Sequence, residues 1–153
     1  MNRFRVAAAT IASLLFLVLG SAHAQQQDDE DAVRQRVIDY VMQQYGDGTP
    51  IAAAAMRYAQ AAGELWLATA KTQRYDEGMT QHAGIAEICF RGQLAEAGVP
   101  EPDGAVSALE RTIASNPTLY AGELYSIVLA QQHPLDLAMT PTQACRQSGV
   151  PLP

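Results

Sequence analysis

The sequence predicts an all-α protein, a compact bundle of about five helices followed by a short C-terminal helix or turn and closed by one disulfide. Three observations predict it. Apolar residues recur at helical spacing, as in Val33, Val37, Tyr40 and Val41, or Val106, Leu109 and Ile113. No stretch alternates apolar and polar residues at the period of two that a half-buried strand requires. Glycine and proline punctuate the chain at helix-length intervals, and Thr49-Pro50, Asn116-Pro117 and Thr140-Pro141 each set a polar residue before a proline where a helix restarts.

The chain opens with residues 1–24, which have the three parts of a secretory signal peptide. Arg3 and Arg5 charge the start, Val6 to Leu19 form an apolar run, and Ala22-His23-Ala24 offers small residues to a signal peptidase. The run is shorter than the ~20 residues a membrane-spanning helix needs. Cleavage is expected between Ala24 and Gln25, with the product in the periplasm or secreted and without stable membrane insertion. Residues 25–31 form an acidic stretch expected to be flexible at its start. Residues 32–148 are expected to be one helical domain, and residues 149–153 an irregular tail.

Within the domain, a first helix runs from Ala32 to the Gly46-Asp47-Gly48 stop. Thr49 caps the next, an alanine-rich helix expected to reach Tyr75. Its stripe of Ala52, Ala55, Ala59, Ala62, Gly63, Trp66 and Ala70 would admit a close neighbour, with a bend expected near Gly63. Gly78 reads as a terminator and Thr80 as a new cap for a helix over 81–97, stopped by Gly98 and Pro100. Pro102-Asp103 opens a fourth helix. The fifth follows Asn116-Pro117, presents Tyr120, Leu124, Ile127, Val128 and Gln131 on one face, and ends at His133-Pro134. Thr140-Pro141 starts the short element that carries Cys145.

Charge narrows the function classes. The whole chain has a formal charge of −6, and removal of residues 1–24 leaves 8 basic residues against 16 acidic ones, or −8. That balance disfavours nucleic acid and anionic lipid as partners. Cys89 and Cys145 are the two cysteines. In an oxidising compartment an isolated pair reads as a structural disulfide, and the chain-entropy model gives the closed loop roughly 4 kcal/mol.

Catalytic signatures are missing from the sequence. It has no zinc-peptidase histidine pair, nucleophile elbow, phosphate loop, dinucleotide fingerprint or calcium loop. The expectation is a protein without enzymatic activity, metal or cofactor. An alternative would assemble a site from His82, Glu87 and nearby acids such as Asp76, Glu77, Glu96 and Glu101, although His82 and Glu87 are five positions apart and so lie on different helical faces. His133 suits a helix C-terminus, where a histidine can meet the last carbonyls. Trp66 and Tyr120 are expected in the core. Tyr58 and Tyr125 fall off the main stripes and are expected at an interface, where tyrosine is enriched.

The stretch from Leu109 to Ala130, LERTIASNPTLYAGELYSIVLA, runs helix, proline break, amphipathic helix. It resembles the C-terminal half of the small secreted immunity proteins that protect bacteria against type VI secretion effectors. Those proteins are helical, signal-peptide-bearing, disulfide-tied and of this size. The resemblance implies a protein that binds another protein in the bacterial periplasm as an inhibitor or immunity factor. The same stretch also resembles a tetratricopeptide unit through Ala108, Leu109 and Pro117, but a step of 34 residues from Pro117 meets Ala83 on one side and Pro151 on the other. Beside protein binding stand two further classes, a small ligand-binding protein or enzyme with a site assembled by the fold, and a structural protein of the envelope.

Overall fold

Alanine and valine repeats decide how closely these helices approach. The computed structural model describes residues 29–151, and among them there are six helices and no strand. The expected signal peptide and its Ala24–Gln25 cleavage point lie outside the described residues. Helix α1 covers residues 29–45, so residues 29–31 of the expected flexible stretch are helical. Helices α2 (Pro50–Thr72), α3 (Glu77–Glu96), α4 (Pro102–Ile113), α5 (Pro117–Gln132) and α6 (Pro141–Gln147) follow. The residues from Val33 onward form one compact unit.

In α1, Val33, Val37 and Val41 are buried at a spacing of four, and Gly46 with φ 77° ends the helix. Only glycine takes that left-handed backbone freely. The Thr49 hydroxyl accepts from the Ala52 N–H at 3.1 Å and donates to the Tyr45 carbonyl at 3.0 Å, so one side chain closes α1 and opens α2.

Helix α2 is the centre of the bundle and packs on α3, α4 and α5. It passes Gly63 as unbroken helix and stops at Thr72, short of the expected Tyr75, where Gln73 turns into the left-handed region at φ 52°. Two stripes of α2 are buried. One is Ala52, Ala55, Ala59, Ala62 and Trp66, and the other is Ala54, Tyr58, Ala61, Leu65 and Thr69. The second stripe corrects the expectation for Tyr58, which is 4% exposed and therefore core. A helix enclosed by neighbours buries more than one face. Tyr58 stacks on Phe90 of α3, with ring centroids 6.2 Å apart.

Helix α3 begins earlier than expected. The Asp76 carboxylate accepts from the Met79 N–H at 2.8 Å, which makes Asp76 the N-cap and leaves Gly78 inside the first turn. A carboxylate is a strong cap and also suits the positive end of the helix dipole. At the other end the Val99 N–H donates to the Leu94 carbonyl and the Gly98 N–H to the Ala95 carbonyl, both at 3.0 Å. That is a Schellman closure with Gly98 in the left-handed position.

Helix α4 buries Val106, Leu109 and Ile113 along one face. Arg91 of α3 pairs with Glu87 at 2.7 Å and also with Asp103 of α4. Helix α6 returns to α3. Its Thr140 cap and Gln143 form a reciprocal capping box, and Cys145 joins Cys89 in a disulfide with both residues buried. A Cβ on Gly92 would fall 2.3 Å from the Pro141 Cβ, so glycine at this position lets α6 lie against α3. The described part of the tail, residues 149–151, has no helix, yet it begins in order. Gly149 and Val150 close α6 by the same hydrogen-bond pattern as α3, and Val150 is buried. Apolar contact just beyond a glycine-ended helix is a usual companion of this closure.

Candidate interaction surface

Helix α5 lies on α2 through its smallest residue. A Cβ built on Gly122 would sit 1.9 Å from the Trp66 carbonyl oxygen and 2.5 Å from the carbonyl carbon, so the two backbones are in direct contact. Leu119 is the other fully buried residue of α5. Asn116 caps the helix by accepting from the Leu119 N–H at 2.8 Å. The inner side of α5 is therefore narrow, and Ser126 and Leu129 continue it as partly buried positions.

The outer side holds the larger residues. Tyr120, Leu124, Tyr125, Ile127 and Val128 are each between 43 and 53% exposed. The apolar face read from the sequence exists as a stripe, but it points to solvent. Tyr120 is thus corrected from core to surface, whereas Trp66 is buried as expected. Tyr125 is exposed, and its hydroxyl accepts a long hydrogen bond of 3.4 Å from the Gln73 amide. Of the two interface tyrosines, Tyr125 lies on this surface and Tyr58 lies beneath the bundle surface. Soluble domains seldom leave so continuous an apolar stripe uncovered unless it meets another molecule.

A polar pair links α2 to α4. The Tyr58 hydroxyl donates to a Glu110 carboxylate oxygen at 2.6 Å. Burial, the nearby Glu87 charge and the bond to Glu110 together hold the Tyr58 phenol well above the usual tyrosine range. Burial, and then repulsion from Glu110, raises the Glu123 carboxyl above its ordinary value. Glu123 is the sole charged residue of α5.

The alternative assembled site does not come together. His82 is exposed near the start of α3, while Glu87 is a full turn further on and held by Arg91. Among the described residues no group of histidine, cysteine and carboxylate side chains is placed to hold a metal ion. His133 is the C-cap of α5, at the helix end where the sequence puts it. Its backbone N–H bonds the Leu129 and Ala130 carbonyls, while its ring stacks on Tyr75 with centroids 4.4 Å apart. That contact ties the end of α5 to the turn between α2 and α3. Sequence spacing could not have paired Tyr75 with His133, because the chain returns to that turn only through the fold.

No helix among the described residues is long and apolar enough to cross a membrane. No protein-family model, curated protein sequence or solved structure matches this chain.

Proposed function

We propose that this chain is an exported helical protein that binds another protein in the bacterial periplasm, as an inhibitor or immunity factor, and that the outer face of α5 is its docking surface. The observation that carries this reading is the stripe of Tyr120, Leu124, Ile127 and Val128 left half-exposed on a helix already seated on α2. Aromatic and aliphatic side chains on a rigid, capped helix form the kind of patch in which binding energy concentrates. The resemblance to type VI immunity proteins supports the same reading, since the resembling stretch contains the whole of that stripe. A ligand-binding or enzymatic role would need His82 and Glu87 in one pocket, and their separation gives it no support.

The test is capture from bacterial envelope extract with a tagged chain beginning at Gln25. A stoichiometric partner that is retained by the native chain and lost with Ile127→Glu is the expected result. Absence of any stoichiometric partner, or equal capture by the variant, would contradict the proposal.

A further inference from the structure

We propose that residues 134–151 form a redox latch: an extended strap and helix α6, held on α3 by the Cys89–Cys145 disulfide, that leave α3 as one unit, with α1 to α5 still folded, once a dithiol reduces the bond. The latch is separate from the docking face of α5 and stands or falls without it. The strap, residues 134–140, has no secondary structure, and its side chains alternate. Leu135, Leu137 and Met139 are half-buried, and Asp136, Ala138 and Thr140 are exposed. Extended chain sends successive side chains to opposite sides, so one row lies on the bundle and the other faces solvent.

Two glycines of α3 seat the strap. A Cβ on Gly84 would fall 2.5 Å from the Leu137 Cδ1, and one on Gly92 would fall 2.3 Å from the Pro141 Cβ. The chain from Leu137 to Pro141 reaches ~13 Å when extended, and the helix from Gly84 to Gly92 rises ~12 Å along its axis. The strap therefore has little slack between its anchors, and lifting one pulls on the other. Its far end is fixed. The His133 ring stacks on Tyr75, and the His133 carbonyl accepts from the Tyr75 hydroxyl at 3.4 Å. Opening that starts at α6 stops at this stack and leaves α5 in place.

Little besides the disulfide holds the unit down. Among the described residues, the N–H groups of Leu135, Asp136, Leu137 and Ala138 have no hydrogen-bond partner. Helix α6 has seven residues, too few to stay helical apart from its neighbour. Ala144, Cys145 and Val150 are the buried apolar residues that it and the tail contribute. The Ser148 hydroxyl between them is buried without a hydrogen-bond partner. Such a group weakens the docked state, because it gives up water and gains no bond. Both cysteines are buried as well, so a dithiol reaches the bond only as the strap lifts. One thiolate of the dithiol then attacks the Cys145 Sγ, and Cys89 leaves as a thiolate that takes up the proton the attacking thiol gave up. The second thiolate of the reagent displaces Cys145, which is protonated in the same way. Two electrons have passed: the chain holds two thiols, the reagent holds one disulfide, and nothing covalent keeps α6 on α3.

Hydrogen–deuterium exchange of the chain from Gln25 onward, read by mass spectrometry with and without dithiothreitol, tests the latch. On reduction, peptides covering α6 and Val150 should exchange faster by roughly tenfold or more, as for a segment that opens locally, while peptides of α2 and α5 keep their protection. Cys89→Ala combined with Cys145→Ala should give the same pattern without reductant. Leu137→Ala removes the strap's contact with Gly84, so dithiothreitol should reduce the bond several-fold faster in this variant than in the native chain. Ser107→Ala, at an exposed position of α4, should leave the rate unchanged. Loss of protection throughout α2 and α5 on reduction would overturn the proposal, as would an α6 that stays protected. Equal reduction rates for the native and Leu137→Ala chains would overturn it too.

Discussion

Replacing Gly122 with alanine separates the account from ordinary helix propensity by sign. Within a helix, alanine is favoured over glycine by ~1 kcal/mol, so propensity alone makes Gly122→Ala stabilising. The structure requires the opposite. The new methyl would lie 1.9 Å from the Trp66 carbonyl oxygen and 2.9 Å from the Trp66 Cα, and these are backbone atoms of the central helix. Relief needs α5 to lift by roughly an ångström, which opens the contacts of Leu119 and of the Tyr75–His133 stack. Overpacking of this kind costs ~1–3 kcal/mol, at the upper end where backbone must move. The net loss should be about 2 kcal/mol, read as a lower urea midpoint and a melting temperature lower by several degrees. Gly104→Ala is the control. It lies in the first turn of α4, where the nearest atom to a new Cβ is 3.7 Å away, and it should be neutral or stabilising. A Gly122→Ala chain as stable as the native one would refute the backbone contact between α5 and α2.

Four further outcomes are expected. Reduction of the Cys89–Cys145 bond releases α6 from α3 and should cost up to about 4 kcal/mol, measured as the change in melting temperature with and without reductant; an unchanged transition would mean that the bond does not hold the fold. Tyr58→Phe removes the 2.6 Å bond to Glu110 and should cost ~1.5–3 kcal/mol, as for a hydrogen bond to a charged group, by urea denaturation at pH 7. Trp66→Ala should cost ~3–5 kcal/mol, while Tyr120→Ser in dilute solution should stay within ~0.5 kcal/mol; equal effects would contradict their placement in core and surface. Glu123 has a carboxyl whose folded value is raised above its ordinary 4.5. The folded chain therefore holds this proton more tightly than the unfolded chain, so its contribution to stability falls as pH rises from about 4.5 through the raised value. Glu123→Gln should accordingly stabilise the chain at pH 7 and change little at pH 4, by urea midpoints at the two pH values.

The local signals for helices were legible in the sequence, and the side from which each helix is covered was much less so. Thr49, Asn116 and Thr140 are caps because a short polar side chain ahead of a proline satisfies a free N–H while proline costs none. Val106, Leu109 and Ile113 were readable as core because α4 is covered from one side. Tyr58 was misplaced because α2 is covered from two sides, and periodicity along one stripe says nothing about a second. Tyr120 was misplaced for a related reason. Its stripe is the more apolar side of α5, but Gly122 gives the closer approach to α2, and backbone contact with Trp66 turns that side outward. Asp76 was passed over in favour of Thr80 because Gly78 looked like a stop, although a glycine in a first turn interrupts little. The disulfide was legible from the cysteine number together with the oxidising compartment that residues 1–24 lead one to expect. The Tyr75–His133 stack and the Tyr58–Glu110 bond link residues far apart in sequence, and no local pattern announces them.

The central claim is that the outer face of α5 is where this protein meets a protein. Oxidative footprinting of the tyrosines and tryptophan, read by mass spectrometry, tests it whatever the occupant. The chain is labelled when dilute and alone, when concentrated, and in envelope extract. Tyr120 and Tyr125 should label readily in the dilute chain and become protected in at least one of the other two conditions, while buried Trp66 labels weakly in all three. Protection confined to another surface, or Tyr120 labelling that is equal in all three conditions, would contradict the account.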